Sequence, residues 1–341
     1  SKKELVGDTK NKSQCVYKLT IPADASVGIH AVRVAGPGGL SAMKLLVIDD
    51  IPSTPQAGDN TSREKAQALT LPAAIDGTID ALKTRNFKFS AEKGQTVSFE
   101  VLAKRLGSPL DPMLRVLDKT GRELSYSDDV PGLHGDSRLH YTFPEKGEYF
   151  VEVRDMLWTG GGGHYFRLRV GDFPDVSVPF PLGAKRGAAA TVSFAGAHVE
   201  GVQPVKLEVP ADSPLNWLTI GAKRAGGKSS GLVTLAVGNS DEVIEQEPND
   251  AREKATRVSL GTNFNGRFEK DGDTDHFVFA AKKGQKYLFT GITRRQGAPT
   301  AVYLRLLKAD GAQVAEVRDF GIADSVINYT FPADGDYLLA V

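Results

Sequence analysis

The chain repeats itself, and a repeat of this length limits the folds open to it. Lys18-Leu19-Thr20-Ile21-Pro22-Ala23-Asp24 returns 188 positions on as Lys206-Leu207-Glu208-Val209-Pro210-Ala211-Asp212. Glu64-Lys65-Ala66 returns 189 positions on as Glu253-Lys254-Ala255. Phe87-Lys88-Phe89 and Lys93-Gly94-Gln95 return 190 positions on as Phe277-Val278-Phe279 and Lys283-Gly284-Gln285. The register then slips back by two, so that Tyr141-Thr142-Phe143-Pro144 matches Tyr329-Thr330-Phe331-Pro332. Drift at turns with the apolar positions kept is how duplicated domains diverge.

Within each copy the hydrophobic period is two. Ile29-His30-Ala31-Val32-Arg33-Val34, Val97-Ser98-Phe99-Glu100-Val101 and Leu139-His140-Tyr141-Thr142-Phe143 alternate apolar and polar side chains. Such runs make strands with one face on a core and the other on solvent. Turn signals separate them, among them Lys119-Thr120-Gly121, Glu145-Lys146-Gly147 and Ala309-Asp310-Gly311. The expected class is all-β, built as tandem antiparallel β-sandwiches. The helical candidates are two short stretches, 62–69 and 251–258, each after a cluster of capping residues.

The repeat divides the chain into four expected parts. Residues 1–52 form a partial β domain and 53–172 a sandwich, copy one. Residues 173–242 form a smaller, seven-strand-like sandwich and 243–341 the second copy. Copy one closes with Tyr165-Phe166-Arg167-Leu168-Arg169-Val170, and copy two reaches Val341, the partner of Val153, before any such strand. A missing strand leaves an unpaired edge, and the expectation is a piece of a longer chain.

Charge excludes one class of partner. Lys+Arg and Asp+Glu both number 42, so the formal net charge is zero and no basic excess serves a phosphate backbone. No apolar run approaches the length of a membrane span. Cys15 is the one cysteine, which rules out a disulfide framework and fits a small half-buried residue.

The order of motifs in copy two carries a family resemblance. It runs Glu245-Gln246-Glu247-Pro248-Asn249-Asp250, Asn265-Gly266, Asp271-Gly272-Asp273-Thr274-Asp275-His276-Phe277, Lys283-Gly284-Gln285 and Phe331-Pro332-Ala333-Asp334-Gly335-Asp336-Tyr337. This resembles the bacterial pre-peptidase C-terminal domain over 245–341, with 56–171 as a diverged copy. The leading parts resemble bacterial cell-surface immunoglobulin-like domains. The resemblance implies jelly-roll-like sandwiches that are not catalytic, in a secreted, periplasmic or cell-surface protein. It implies extracellular protein or polysaccharide as the partner class, with no nucleic acid and no membrane insertion. Two roles follow: a structural or binding array, or the accessory C-terminal region of an exported peptidase or other hydrolase.

The same resemblance implies calcium in copy two, with Glu245, Glu247, Asn249, Asp250, Asp273 and Asp275 as ligands. Calcium takes six to eight oxygens, mostly carboxylates and amide carbonyls. Asp273 and Asp275 lie two apart at an expected strand start, which turns both to one face. The residue types alone fit helix capping and an ordinary Asp-Gly-Asp turn equally well. In copy one the corresponding positions are Gln56, Gly58, Asn60, Thr61, Lys83 and Arg85. Neutral and cationic groups have replaced carboxylates there, so copy one is expected to bind no calcium through this site.

No catalytic constellation stands out. Gly227-Lys228-Ser229-Ser230-Gly231 has the spacing of a serine nucleophile turn, but a strand pattern follows it where that motif needs a helix. The histidines show no pair at helical spacing. Asp128-Asp129 and Asp155 read as turn acids, and Trp158 beside Gly160 to Gly163 as a packed loop anchor rather than a sugar platform.

Overall fold

The computed structural model describes residues 4–5, 17–318 and 324–341. Cys15 and the start of the expected 1–52 part lie outside them. Among the described residues all regular structure is β apart from four three-residue 3-10 turns. Two of these, Arg63–Lys65 and Arg252–Lys254, stand where helices are expected. In each case a two-residue strand follows at once and pairs parallel with its neighbour, Gln67–Ala68 on Thr84–Ala91 and Thr256–Arg257 on His276–Ala281. That pairing takes the backbone groups a longer helix would have used. The sheets are therefore mixed at their edges rather than purely antiparallel.

Residues 53–171 build two five-stranded sheets. One runs Glu123–Ser127, Pro112–Leu117, Gly147–Asp155, Thr84–Ala91, Gln67–Ala68; the other Arg138–Thr142, Thr96–Leu102, Tyr165–Gly171, Ala73–Thr78, Ser53–Pro55. Alternate side chains of both sheets meet in one core, including Phe87, Phe99, Leu114, Val151, Phe166, Leu168 and Val170. Phe143 is fully buried at one end, with its ring 4.2 Å from Tyr149 and 5.7 Å from Phe89. Phe331 repeats this arrangement, 4.6 Å from Tyr337 and 6.0 Å from Phe279. Other contacts recur as well. Gly94 N–H donates to the Phe143 carbonyl at 2.7 Å and Gly284 N–H to the Phe331 carbonyl at 2.8 Å.

The N-terminal strands Gly28–Val32 and Lys44–Ile48 do not form a separate unit. They extend the sheet Gly183–Lys185, Gly231–Gly238, Trp217–Ala222, with Ile29 opposite Thr219. The expected boundary at 52 thus parts segments from a sheet they share with 183–238.

The outward face of the second sheet of 53–171 is also not what alternation predicts. Ser98, Glu100, Arg138, Arg167 and Arg169 point away from the apolar core yet are buried. The segment 173–242 and Asp49–Asp50 lie over them. Arg169 donates to Ser230 O at 2.6 Å, and Arg138 donates to Val176 O at 2.7 Å and to Leu232 O. Glu100 sits at the centre, 2.9, 2.6 and 2.7 Å from Arg105, Arg138 and Arg169. Asp136 holds Arg105 at 2.7 Å, and Asp49 holds Arg167 and Arg169 at 3.0 Å each.

Residues 243–341 repeat one five-stranded sheet: Thr256–Arg257, His276–Ala281, Gly335–Ala340, Tyr303–Lys308, Gln313–Arg318. Facing it are two separate two-stranded pieces, Glu242–Ile244 with Asn263–Asn265 and Lys286–Gly291 with Ser325–Thr330. The core between them holds Phe277, Phe279, Leu304, Leu306, Phe331 and Leu339.

Candidate metal centre

The segment after Glu242–Ile244 is fixed by backbone pairing, with Glu245 N–H donating to Asn265 O at 2.9 Å. This carries Glu245 over the turn that leads out of Asn263–Asn265. There the Arg267 N–H donates to Glu245 Oε1 at 2.6 Å. A Cβ on Gly266 would lie 2.7 Å from Glu245 Oε2 and 2.8 Å from Asp275 Oδ2, so glycine leaves room for both carboxylates. Asp275 arrives from the opposite side, its N–H donating to Val341 O at 3.2 Å and its O accepting from Val341 N–H at 3.0 Å.

Glu245, Glu247 and Asp275 converge, each offering an oxygen within 4.8 Å of the others. Asn249 completes the group. It is fully buried, its N–H donates to Glu247 Oε2 at 2.8 Å, and its Nδ2 donates to Glu245 Oε2 at 3.3 Å. Two oxygens remain without a partner among the described residues, Asn249 Oδ1 and Asp275 Oδ1, both buried. An unpaired buried acceptor is costly, and the Asn249 amide oxygen with the carboxylates of Glu245, Glu247 and Asp275 offers the oxygen donors a hard cation takes.

Electrostatics agree with the geometry. Burial, then the charges of Glu245, Asp273 and Glu247, push the Asp275 carboxyl up to about 8. Burial raises Glu245 as well. No ion pair among the described residues joins a basic side chain to Glu245, Glu247 or Asp275.

The other two expected ligands are engaged with Lys270. Asp250 is 2.8 Å from Lys270 Nζ, and Asp273 accepts from the Glu269 N–H at 2.6 Å with Lys270 3.9 Å away. Lys270 holds the Asp250 carboxyl below its usual value, with Asp273 helping through a hydrogen bond. The strand begins at His276 rather than at Asp273, so Asp273 lies in the preceding turn and does not share a strand face with Asp275. Sequence reasoning passed over the Arg267 N–H and His276, whose Nδ1 lies 3.2 Å from Asn249 O. Backbone donors carry no residue signature, and a lone histidine offers little.

In copy one the same frame holds different groups. Gln56 Oε1 accepts from the Thr78 N–H at 3.2 Å, as Glu245 does from Arg267. Asn60 is fully buried like Asn249. Arg85, at the position of Asp275, is buried and donates to Thr78 O and Asp80 Oδ2, both at 2.8 Å. A guanidinium occupies this end of the group and pairs with the carboxylate it meets, Asp80.

A second acidic group, Asp111, Asp128 and Asp129, carries its own cation, with Lys104 Nζ 2.5 Å from Asp111 and 3.7 Å from Asp129. Asp155 accepts from Leu157 N–H, Thr159 N–H and Thr159 Oγ1 and pins its loop. Ser229 and Ser230 lie between the antiparallel strands Trp217–Ala222 and Gly231–Gly238, and Ser230 Oγ donates to Asp50 at 2.8 Å. Trp158 stacks under the Arg154 guanidinium at 4.6 Å.

Residues 83–155 match the model of the bacterial pre-peptidase C-terminal domain. A pre-peptidase C-terminal domain is found in copy one. The match lies on the first sandwich, outside the Glu245–Asp275 group, whereas the motif resemblance runs most fully through 245–341. A probable subtilase-type serine protease of Deinococcus radiodurans is 35% identical over 68 residues, covering 20% of this chain and 9% of that protein. The chain thus spans about a tenth of this relative's length. Among solved structures, the pre-peptidase C-terminal domain of a Bacillus anthracis collagenase is 15% identical, covering 31% of this chain and 94% of that one, with a TM-score of 0.25. The Aeromonas hydrophila periplasmic inhibitor of g-type lysozyme is 18% identical, covering 36% and 96%, with a TM-score of 0.24.

Proposed function

We propose that this chain is a non-catalytic accessory region of an exported protein, two diverged pre-peptidase C-terminal units with immunoglobulin-like segments between and before them. The pre-peptidase C-terminal domain match carries this reading, because such domains accompany exported peptidases and are not themselves catalytic. The Deinococcus relative supports a peptidase as the associated enzyme. Fusing the chain to a subtilase-type catalytic domain tests it: cleavage of an insoluble protein matrix rises while cleavage of a soluble peptide is unchanged. Equal rates with and without the chain overturn the accessory role, and turnover of peptide by the chain alone overturns the non-catalytic one.

A second reading, an extracellular structural array that binds protein or polysaccharide, is favoured by the buried charge network. It joins neighbouring units through Arg138 and Arg169, as a rigid spacer requires. In both readings calcium stabilises copy two, held by Glu245, Glu247, Asn249 and Asp275 with Asp250 and Asp273 beside them. Calcium here would neutralise three crowded carboxylates and use the two unpaired oxygens. Calorimetric titration with calcium chloride measures this directly, and a chain that takes up no calcium refutes it.

A further inference from the structure

Two turns at one end of the first sandwich hold large apolar side chains out into solvent. Thr84 pairs with Arg154 in the sheet, so the turn 80–83 that enters one strand lies beside the loop 156–163 that leaves the other. Leu82 is 76% exposed and Leu157 75%, with Trp158 at 42% and Met156 at 40%. The Leu82 N–H donates to Trp158 O at 3.1 Å, which joins the two turns.

Hydrogen bonds fasten the loop in this pose. Gly161 N–H donates to Ile79 O at 2.8 Å, and a Cβ on Gly160 would lie 2.2 Å from Ala81 N. The buried Asp155 carboxylate accepts from the N–H groups on both sides of Trp158, those of Leu157 at 3.0 Å and Thr159 at 2.9 Å. Leu82 has φ 61° and Trp158 φ 59°, the left-handed region that a bulky side chain rarely adopts. Copy two closes the same turn with Asp273 N–H on Lys270 O, as Lys83 N–H closes on Asp80 O, and places Gly272 there at φ 78°. Glycine meets that backbone requirement without strain, whereas copy one carries an exposed leucine. Strain kept under an exposed apolar side chain points to a contact that uses the side chain.

Charge and size narrow the contact. Lys83 is exposed and Arg154 lies over the Trp158 ring at 4.6 Å, and neither meets a carboxylate among the described residues. The acids nearby are engaged, Asp80 with Arg85 at 2.8 Å and Asp111 with Lys104 at 2.5 Å. Four side chains on two turns fall far short of the about 20–30 residues a side of a stable protein interface. A sugar ring stacks on an open aromatic face, but here three of the four side chains are aliphatic and a guanidinium covers one face of the indole. Leucine and tryptophan beside lysine and arginine suit the boundary between lipid headgroups and acyl chains. The neighbouring segments pack on the other sheet of this sandwich and leave these four residues exposed.

We propose that Leu82, Met156, Leu157 and Trp158 dock the first sandwich on an anionic lipid surface, the apolar side chains entering the headgroup boundary while Lys83 and Arg154 meet lipid phosphates. This shallow contact needs no membrane span and is not implied by the family resemblance. It is independent of the calcium site and of the peptidase association.

The full chain is sedimented in calcium-free buffer with vesicles of phosphatidylglycerol and phosphatidylcholine in equal parts, with and without bromine on the acyl chains. Expected are co-sedimentation, quenching of tryptophan fluorescence by the brominated chains, and weaker binding to phosphatidylcholine alone and at high salt. Leu157→Ser lowers the partition coefficient about tenfold, the loss of one buried leucine. Leu82→Gly lowers it similarly without lowering the melting temperature, because glycine suits the left-handed turn; the lost binding is then not misfolding. Absence of co-sedimentation overturns the proposal, as does binding without quenching or binding that both substitutions leave unchanged. Self-association that Leu82→Gly abolishes assigns these side chains to a second copy, and retention on an insoluble polysaccharide that it abolishes assigns them to a sugar; either result overturns the proposal.

Discussion

Glu100→Gln is expected to destabilise the chain strongly, away from the Glu245–Asp275 group. Glutamine keeps the shape and removes the charge that three buried guanidiniums share, Arg105, Arg138 and Arg169, all within 2.9 Å. Burial alone would raise the Glu100 carboxyl, but Arg138, Arg105 and Arg169 outweigh it and hold it far below the usual range. Removing one partner from a buried ion network costs about 3–5 kcal/mol, because the remaining charges stay desolvated and uncompensated. At a urea slope near 2 kcal/mol per molar, the unfolding midpoint falls by about 2 M. Arg138 and Arg169 also bond carbonyls of the covering segment, so the loss loosens the junction between units. The two tryptophans report it, Trp158 in the first sandwich and Trp217 in the neighbouring sheet. Single-tryptophan variants of the parent give coincident urea transitions; in Glu100→Gln they separate. A depressed carboxyl contributes stability above its unfolded value, near 4.3, and loses it as pH falls below. The parent junction therefore weakens in acid while Glu100→Gln does not change further. A midpoint shift under about 0.5 M, or transitions that stay coincident, refutes the reasoning.

Calcium at one hundred times its dissociation constant stabilises copy two by about 2.7 kcal/mol, several degrees in a melting scan, and leaves the transition of 53–172 in place. A calcium-dependent shift of that first transition would contradict the role given to Arg85. In metal-free buffer the Asp275 carboxyl, pushed up to about 8, is protonated in the fold at pH values where it ionises in the unfolded chain. Its neutral form stabilises the fold below about 4, the contribution is lost as pH rises to 8, and Asp275→Asn flattens that decline in a pH series of melts. The same substitution in neutral buffer abolishes the calcium shift; a shift retained in full would remove Asp275 from the ligand set. Gly266→Ala sets a methyl against Glu245 and Asp275 and weakens calcium binding at least about tenfold in titration calorimetry, while binding as tight as the parent's would show the glycine to be dispensable.

Alternation placed the strands Thr96–Leu102, Arg138–Thr142 and Tyr165–Gly171, because each has one face on its own core and period two records that directly. The recurring motifs make matching contacts, Phe143 with Tyr149 and Phe331 with Tyr337. The comparison of the copies also drew attention to Glu245, Glu247, Asn249, Asp250, Asp273 and Asp275, of which the structure brings Glu245, Glu247, Asn249 and Asp275 together. The sequence could not show that Lys270 meets Asp250 and Asp273, since that depends on where Lys270 lies in space. His140 shows the same limit. Alternation turns it to solvent, yet it is half-buried, with Nδ1 3.1 Å from Asp175 and its ring 4.5 Å from His198.

What the sequence determined by itself is local: strand period, turn positions, the repeat and its register, and the exchange of carboxylates for Arg85 and its neighbours. What only the tertiary structure decided is which polar faces meet. Glu100, Arg138 and Arg169 carry the pattern of an exposed face and are buried because another unit covers them. Gly28–Val32 joins a sheet nearly two hundred residues away in the chain. Period and propensity describe a strand and its two faces, whereas the identity of whatever packs on each face is set by contacts between distant segments.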